Sequence, residues 1–258
     1  MILLRLTQLP ASSAKFKSGN TLNTDTLKKF SEEIGEEYDI FPLAVPHYDE
    51  MQSRVGELIN NYLATVPDRN IQIVEGGCGT GLTTRYLVEA DPKITVVAID
   101  NEKVMLEQAE KALAKYADRI TFVQEDLLHS IAKMKDVKIF VSGFCIHNLP
   151  PDYRRELFKE IGRALAPAAL FINCDKIAHD NEDEHRQALK EQVEAFHVFT
   201  EHGKPELEDE WTKHYIELDD PIRLTETEQI DALSLAGFTN IEWVFRRRMD
   251  AIVQAIKK

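Results

Sequence analysis

An α/β fold, built on a parallel sheet covered by helices on both faces, is what this sequence predicts. Three observations predict it. Short Val- and Ile-rich runs alternate with longer segments of helical spacing through the middle of the chain. Those runs are apolar almost throughout, as strands buried on both faces require. The first of them ends in a glycine cluster that opens a helix.

The elements follow in order. Residues 1–23 mix Ser, Lys, Gly and Asn and read as a loose arm. From residue 24 to 63 helical spacing takes over, with Leu27, Phe30 and Ile34, then Val55, Leu58, Ile59 and Tyr62, recurring at three and four residues. Between them lies an apolar, aromatic stretch, 38–48, in which Pro42 and Pro46 break the helix. Strands are then expected at 71–74, 94–99, 120–123, 137–142 and 168–173, with helices at 80–90, 102–116 and 151–165. Residues 182–202 are charged and helical, and a polar stretch containing Trp211 runs on to Asp220. A helix at 225–236 ends at Gly237, which suits a left-handed cap. Strand-like pieces at 241–245 and 251–256 complete the chain. The division that follows is an N-terminal arm and helical lid over 1–66 and one ligand-binding domain over 67–258. Within the latter, residues 176–222 form a helical insertion placed to cap a substrate.

Composition narrows the function classes. The 258 residues are 43% apolar and 29% charged, an ordinary balance for a folded globular chain. The formal net charge of −13 disfavours nucleic acid as a partner, because such binding depends on Lys and Arg neutralising phosphates. The Arg246-Arg247-Arg248 run reads as solvated charge. Cys78, Cys145 and Cys174 lie far apart with no C-x-x-C pair, pointing to a reduced, cytoplasmic protein. No run approaches membrane-spanning length, so no membrane partner is expected. Histidines at 179, 185, 197, 202 and 214 show no metal-ligand spacing, so no metal is expected. The oligomeric state stays open, a homodimer included.

The sharpest motif is Val74-Glu75-Gly76-Gly77-Cys78-Gly79-Thr80-Gly81, after a strand and before a helix. Its glycines allow a tight turn and let a ligand approach without a Cβ in the way. In open α/β sheets ligands bind beyond the carboxyl ends of strands, which is where this loop falls. The spacing distinguishes two ligands. A dinucleotide loop, G-x-G-x-x-G, would need glycine where Leu82 stands. The sequence reads E-x-G-x-G-x-G, whose leading acid repels a pyrophosphate and suits a ligand carrying an ammonium group. S-adenosylmethionine (SAM) has that ammonium and no phosphates. Asp100 ends the second strand, beside Asn101, where a carboxylate can take both ribose hydroxyls or cap the next helix. Asp126 closes the third strand, where it can read an adenine edge with the amide of Leu127 or serve as a turn acid.

On these residues, the segment from about 70 to 175 resembles a class I SAM-dependent methyltransferase. Residues 75–81 match the first motif, Asp100 the ribose acid, Asp126-Leu127 the adenine pair, and 142–149 the fourth-strand motif. The resemblance implies a Rossmann-like seven-stranded sheet with an antiparallel last strand, SAM as cofactor and S-adenosylhomocysteine as product. It assigns Glu75, Gly76, Gly77, Cys78, Gly79, Gly81, Asp100, Asn101, Met105, Asp126, Leu127 and Gly143 to the cofactor. In the flanks, Val45-Pro46-His47-Tyr48 is similar to a Val-Pro-Gly-Tyr segment of the carboxy-S-adenosylmethionine synthase family, which adds Tyr48 to the cofactor set. Two features depart from that branch. Its asparagine after the fourth strand corresponds to Gly143, and no arginine stands near 213–216 to hold an extra carboxylate. These departures favour methyl transfer to a small-molecule acceptor over remodelling of SAM itself. A binding protein without turnover is the third alternative.

His147 lies just after the fourth strand and is the candidate base, with a packing or capping histidine as the plain alternative. Tyr38, Phe41, His47, Phe144, Phe196, Phe199, Trp211 and His214 are candidates for the substrate pocket. Taken singly, each aromatic is more often core packing.

Overall fold

In the computed structural model, which describes residues 38–67 and 70–258, seven strands form one sheet in the order β3-β2-β1-β4-β5-β7-β6. The strands are β1 (Gln72–Gly76), β2 (Thr95–Asp100), β3 (Ile120–Gln124), β4 (Val137–Gly143), β5 (Leu165–Lys176), β6 (Phe238–Arg247) and β7 (Asp250–Lys257). β1 to β5 pair in parallel, and β7 runs antiparallel to both β5 and β6. From β1 the chain winds outward to β2 and β3, then returns to place β4 on the other side of β1. Loops leaving the carboxyl ends of β1 and β4 therefore diverge, and that divergence makes a crevice.

The helices are α1 (Tyr48–Leu63), α2 (Leu82–Ala90), α3 (Lys103–Ala112), α4 (Leu127–Ile131), α5 (Pro151–Ala164), α6 (Glu182–Ala195), α7 (His197–Glu201), α8 (Pro205–Ile222) and α9 (Glu226–Leu235). Two apolar layers flank the sheet. One joins α1, α2 and α3 to the alternate residues Ile73, Val96, Ile139, Val141 and Ile172. The other joins α4, α5 and α9 to Val74, Ile99, Phe140 and Phe171. Their alternation along each strand is the period-two pleat of strands covered on both sides. In α1, Met51, Val55, Ile59 and Leu63 recur every four residues and are buried, so this stripe fixes the N-terminal segment against the domain.

Several boundaries differ from the sequence reading. The proline-containing segment is a 3₁₀ helix, Tyr38–Ala44, with Pro42 inside it. The helix expected at 102–116 stops at Ala112 and gives way to a short 3₁₀ turn, Ala114–Tyr116. The helix expected at 182–202 is two, interrupted at Phe196, whose ring is buried. The polar stretch before Asp220 is an 18-residue helix, α8. Pro205 opens it at the first turn, and Leu207, Trp211 and Tyr215 make a buried stripe at four-residue spacing that its acidic flanks obscure. β5 extends to Lys176, which carries Asp175 and Lys176 to the carboxyl edge of the sheet. The arm 1–23 and the positions Leu27, Phe30 and Ile34 lie outside the described residues.

Candidate functional site

The glycine loop is fastened to the end of β2. The amides of Gly77 and Cys78 both donate to the carbonyl of Ile99, at 2.8 and 3.0 Å. The amide of Gly79 donates to Asp100 Oδ2 at 2.9 Å, while Asp100 Oδ1 accepts the Glu102 amide at 3.0 Å. One buried carboxylate thus braces both the glycine loop and the turn that leads into α3. Gly77 sits at φ 75°, and a Cβ there would lie 2.2 Å from Cys145 Sγ. Gly81 caps α2 at φ 85°, with Leu113 Cδ1 only 2.7 Å from a would-be Cβ. Glycine is required at both places by backbone angle and by space.

Glu75 is fully buried at the head of this loop. Its Oε2 accepts a hydrogen bond from the Thr84 hydroxyl at 2.6 Å, and its Oε1 has no partner. Burial pushes its carboxyl up to about 8, against the opposing Thr84 bond and with a smaller upward push from Asp100. Two further buried oxygens near the loop, Thr80 Oγ1 and Asn101 Oδ1, also have no partner. A buried acceptor left without a donor costs about 1–3 kcal/mol, so this end of the protein is built for a ligand rich in donors. SAM fits that description, through its ammonium group and its ribose hydroxyls.

The other cofactor candidates are distributed as follows. Gly76 packs under Phe140, whose Cζ is 2.8 Å from where a Cβ would be. Met105 is buried in the first turn of α3. Asp126 caps α4, accepting the His129 amide at 2.9 Å and the Tyr153 hydroxyl at 2.8 Å. Leu127 is buried in the apolar layer below. Gly143 ends β4 against Thr83, whose Oγ1 would be 2.3 Å from a Cβ. The Thr83 hydroxyl in turn accepts from Gln52 Nε2 of α1 at 3.0 Å. Tyr48, Cys78, Thr83, Gly143 and Phe144 line a small cavity beside the loop, with Tyr48 and Phe144 stacked at 5.6 Å between ring centroids.

The aromatic candidates divide. Phe41 reaches that cavity, meeting Phe144 edge-on at 5.6 Å, and stacks on Trp211 at 5.0 Å. Trp211 packs with Phe196 and Phe199 in a closed aromatic cluster, so these three support the wall and line none of the cavities described here. His47 lines a separate cleft with Glu191 and Arg248 and pairs with Glu50 at 3.4 Å. The Tyr38 side chain lies outside the described residues.

His147 and His214 meet at a second cleft, beyond the carboxyl ends of β4 and β5. Asn148, Lys176, Tyr215 and Asp219 also face it. His147 Nδ1 pairs with Asp175 Oδ1, and the His147 amide donates to Asp175 Oδ2 at 3.0 Å. Burial pushes His214 down to about 3, which keeps its imidazole neutral. Asp175 and Lys176 were missed from sequence. The available signal was the pairing of two adjacent strand ends, since Ser142 and Gly143 of β4 stand opposite Asn173 and Cys174 of β5. Among the described residues, no group of three or more His, Cys, Asp or Glu could hold a metal, and no helix is long and apolar enough to cross a membrane.

Comparison with known proteins agrees with this fold. Residues 73–168 match the model of a methyltransferase domain. Carboxy-S-adenosyl-L-methionine synthase of Sulfurimonas denitrificans is 28% identical over 241 residues, covering 91% of this chain and 97% of that one. The enzyme of the same name from Nautilia profundicola is 24% identical over 220 residues, covering 84% and 89%. The CurJ carbon methyltransferase shares the fold at a TM-score of 0.64 and 15% identity, over 90% of this chain and 63% of its own. Residues 73–168 therefore carry a methyltransferase domain, and along most of its length the chain is similar to carboxy-S-adenosyl-L-methionine synthases.

Proposed function

We propose that this protein transfers a methyl group from SAM to a small-molecule acceptor enclosed by α1 and the insertion that carries α6 to α8. One observation carries the reading: the three buried acceptors without partners, Glu75 Oε1, Thr80 Oγ1 and Asn101 Oδ1, gathered around the glycine loop. When bound, SAM supplies a methyl group on a positively charged sulfur, which keeps the electron pair as the methyl leaves. The protein's own part is to hold, orient and desolvate. Glu75 faces the ammonium, Asp100 and Asn101 the ribose, and Asp126 with Leu127 the adenine. Tyr48, Cys78, Gly143 and Phe144 flank the end from which the methyl departs. His147 receives the acceptor's proton. In this reading residues 67–258 are the cofactor domain, covered by 176–222 and by the described part of the N-terminal segment, 38–66. Three buried cysteines outside any disulfide suit a cytoplasmic setting, and the net charge of −13 favours a small acceptor over a polyanion. Calorimetry should detect SAM and S-adenosylhomocysteine binding to the purified protein. Failure of both to bind would overturn the reading.

A second reading, chemistry on SAM itself of the carboxy-SAM synthase kind, is favoured by the alignment along 91% of this chain. Against it, the Thr83 hydroxyl fills the space a side chain at Gly143 would need. Mass spectrometry of the copurified nucleoside separates the two. Plain SAM or S-adenosylhomocysteine supports methyl transfer, and a carboxylated form supports the alternative.

A further inference from the structure

Resting on that methyl-transfer reading, we propose that the cavity between His147, Lys176, His214 and Tyr215 is the acceptor pocket. We further propose that it takes a neutral molecule bearing a hydroxyl or N–H group.

The first argument is position. The glycine loop lies beyond β1 and β2, and the cavity lies beyond β4 and β5. β1 and β4 are direct parallel neighbours, so the two sites share one edge of the sheet. At the usual strand spacing they stand one to two strands apart, about 5–10 Å. That is a reach suited to a cofactor lying across the crevice with its reactive end toward β4.

The second argument is the proton. Asp175 is fully buried and also accepts the amides of His147 and Lys176, at 3.0 Å each. A carboxylate so placed accepts, so the histidine's Nδ1 must carry the hydrogen, and the lone pair stands on Nε2. The Asn148 amide nitrogen lies against this ring, 3.1 Å from Nδ1 and 2.6 Å from Nε2. An acceptor hydroxyl would donate to Nε2. Its bond to hydrogen would break, with the proton going to Nε2, and the pair so freed would take the methyl as the carbon–sulfur bond of SAM leaves its electrons on sulfur.

The third argument is charge. Every ion facing this cavity is already matched within the protein. Lys176 is held by Asp250 and Gln192, and Asp219 by His185 at 2.7 Å and Arg223 at 2.6 Å. Arg223 also reaches Glu182 at 2.6 Å. His214 is neutral, and burial raises the Tyr215 phenol so that it keeps its proton. A charged acceptor would surrender its hydration and find no open counter-charge.

The test uses the full chain, with phenol as the neutral protic probe and benzoate and benzylammonium as the anion and cation. NMR follows the imidazole Cε1–H signals of His147 and His214. Phenol should move both signals together and bind about tenfold more tightly than either ion, the factor given by 1.4 kcal/mol of unmatched desolvation. Unmoved signals, or ions that bind as well as phenol, overturn the proposal. Ile222→Phe, which fills the cavity wall, should remove the phenol response while SAM binding persists by calorimetry. A retained response would place phenol elsewhere and also overturn it. If that variant does not fold, the comparison of the three probes on the wild-type chain decides alone. Loss of SAM binding would sink the methyl-transfer reading, whereas the phenol result judges the pocket by itself.

Discussion

His147 and Asp175 are joined twice: the imidazole Nδ1 pairs with one carboxylate oxygen, and the backbone amide of the same histidine donates to the other at 3.0 Å. Ring and backbone are thus held by one buried acid on the neighbouring strand. Such a clamp fixes the tautomer and leaves Nε2 directed at the cavity.

Asp175→Asn should therefore disturb proton transfer more than binding. For an acceptor that the enzyme turns over, kcat is expected to fall about 10²- to 10⁴-fold, with KM changed much less. ¹⁵N spectra should show His147 as the Nδ1–H tautomer in the wild type and a mixed population in the variant. An unchanged tautomer together with an unchanged kcat would count against a proton-handling role.

Glu75 makes a prediction about pH. Its carboxyl, ordinarily near 4.5, is pushed up to about 8 in the folded protein, chiefly by burial. Between those values the fold keeps a proton that the unfolded chain has lost, so stability falls as pH rises from 4.5 to 8 and levels off above. Glu75→Gln should flatten that slope in the ligand-free protein. Above pH 5 it should raise stability, by at most a few kcal/mol at about 1.4 kcal/mol per pH unit. The same change should weaken SAM binding about 10- to 100-fold by putting a neutral amide where a carboxylate would meet the ammonium. Denaturant melts across pH and calorimetry read the two effects, and unaltered affinity would remove Glu75 from the cofactor site.

Arg154 ties the end of the insertion to the β4–α5 loop. Its guanidinium donates to the carbonyls of His147, Leu149, Ile222 and Arg223, at 3.2, 2.9, 2.5 and 2.7 Å. The side chain is buried, and that burial lowers it to about 10. Arg154→Met should cost on the order of 3 kcal/mol, or roughly 6–12 °C in Tm, because buried carbonyls lose charged donors. A thermal melt within a degree of wild type would show that the clamp contributes little.

Gly143 and Thr83 form a size-matched pair. Gly143→Asn would put a Cβ 2.3 Å from the Thr83 hydroxyl, an overpacking expected to cost about 1–3 kcal/mol. Adding Thr83→Ala should recover much of that loss, a coupling that a double-mutant cycle measures. Strict additivity of the two changes would mean that the contact relaxes freely.

Much of the fold was legible because its signals are local. Alternation of apolar runs and helical spacing marked all five parallel strands, and the glycine spacing marked the loop that Asp100 now fastens. Helix α8 was hidden because its buried stripe of Leu207, Trp211 and Tyr215 is interleaved with acids that resemble a loop. Phe196, Phe199 and Trp211 were legible as aromatics, yet only packing reveals that they back the wall and do not line the cavity.

By itself the sequence determined the sheet, the glycine turn and the acids at the strand ends, because each depends on neighbours within a few residues. Tertiary structure alone decided that His147 meets Asp175, that Lys176 and Asp219 find their counter-ions, and that these groups surround a cavity. Those partners lie 28 to 74 residues apart: His147 and Asp175 meet at the carboxyl ends of parallel β4 and β5, Lys176 and Asp250 across the antiparallel β5–β7 pair, and His185 and Asp219 between α6 and α8. No periodicity encodes those adjacencies; strand order and helix packing create them.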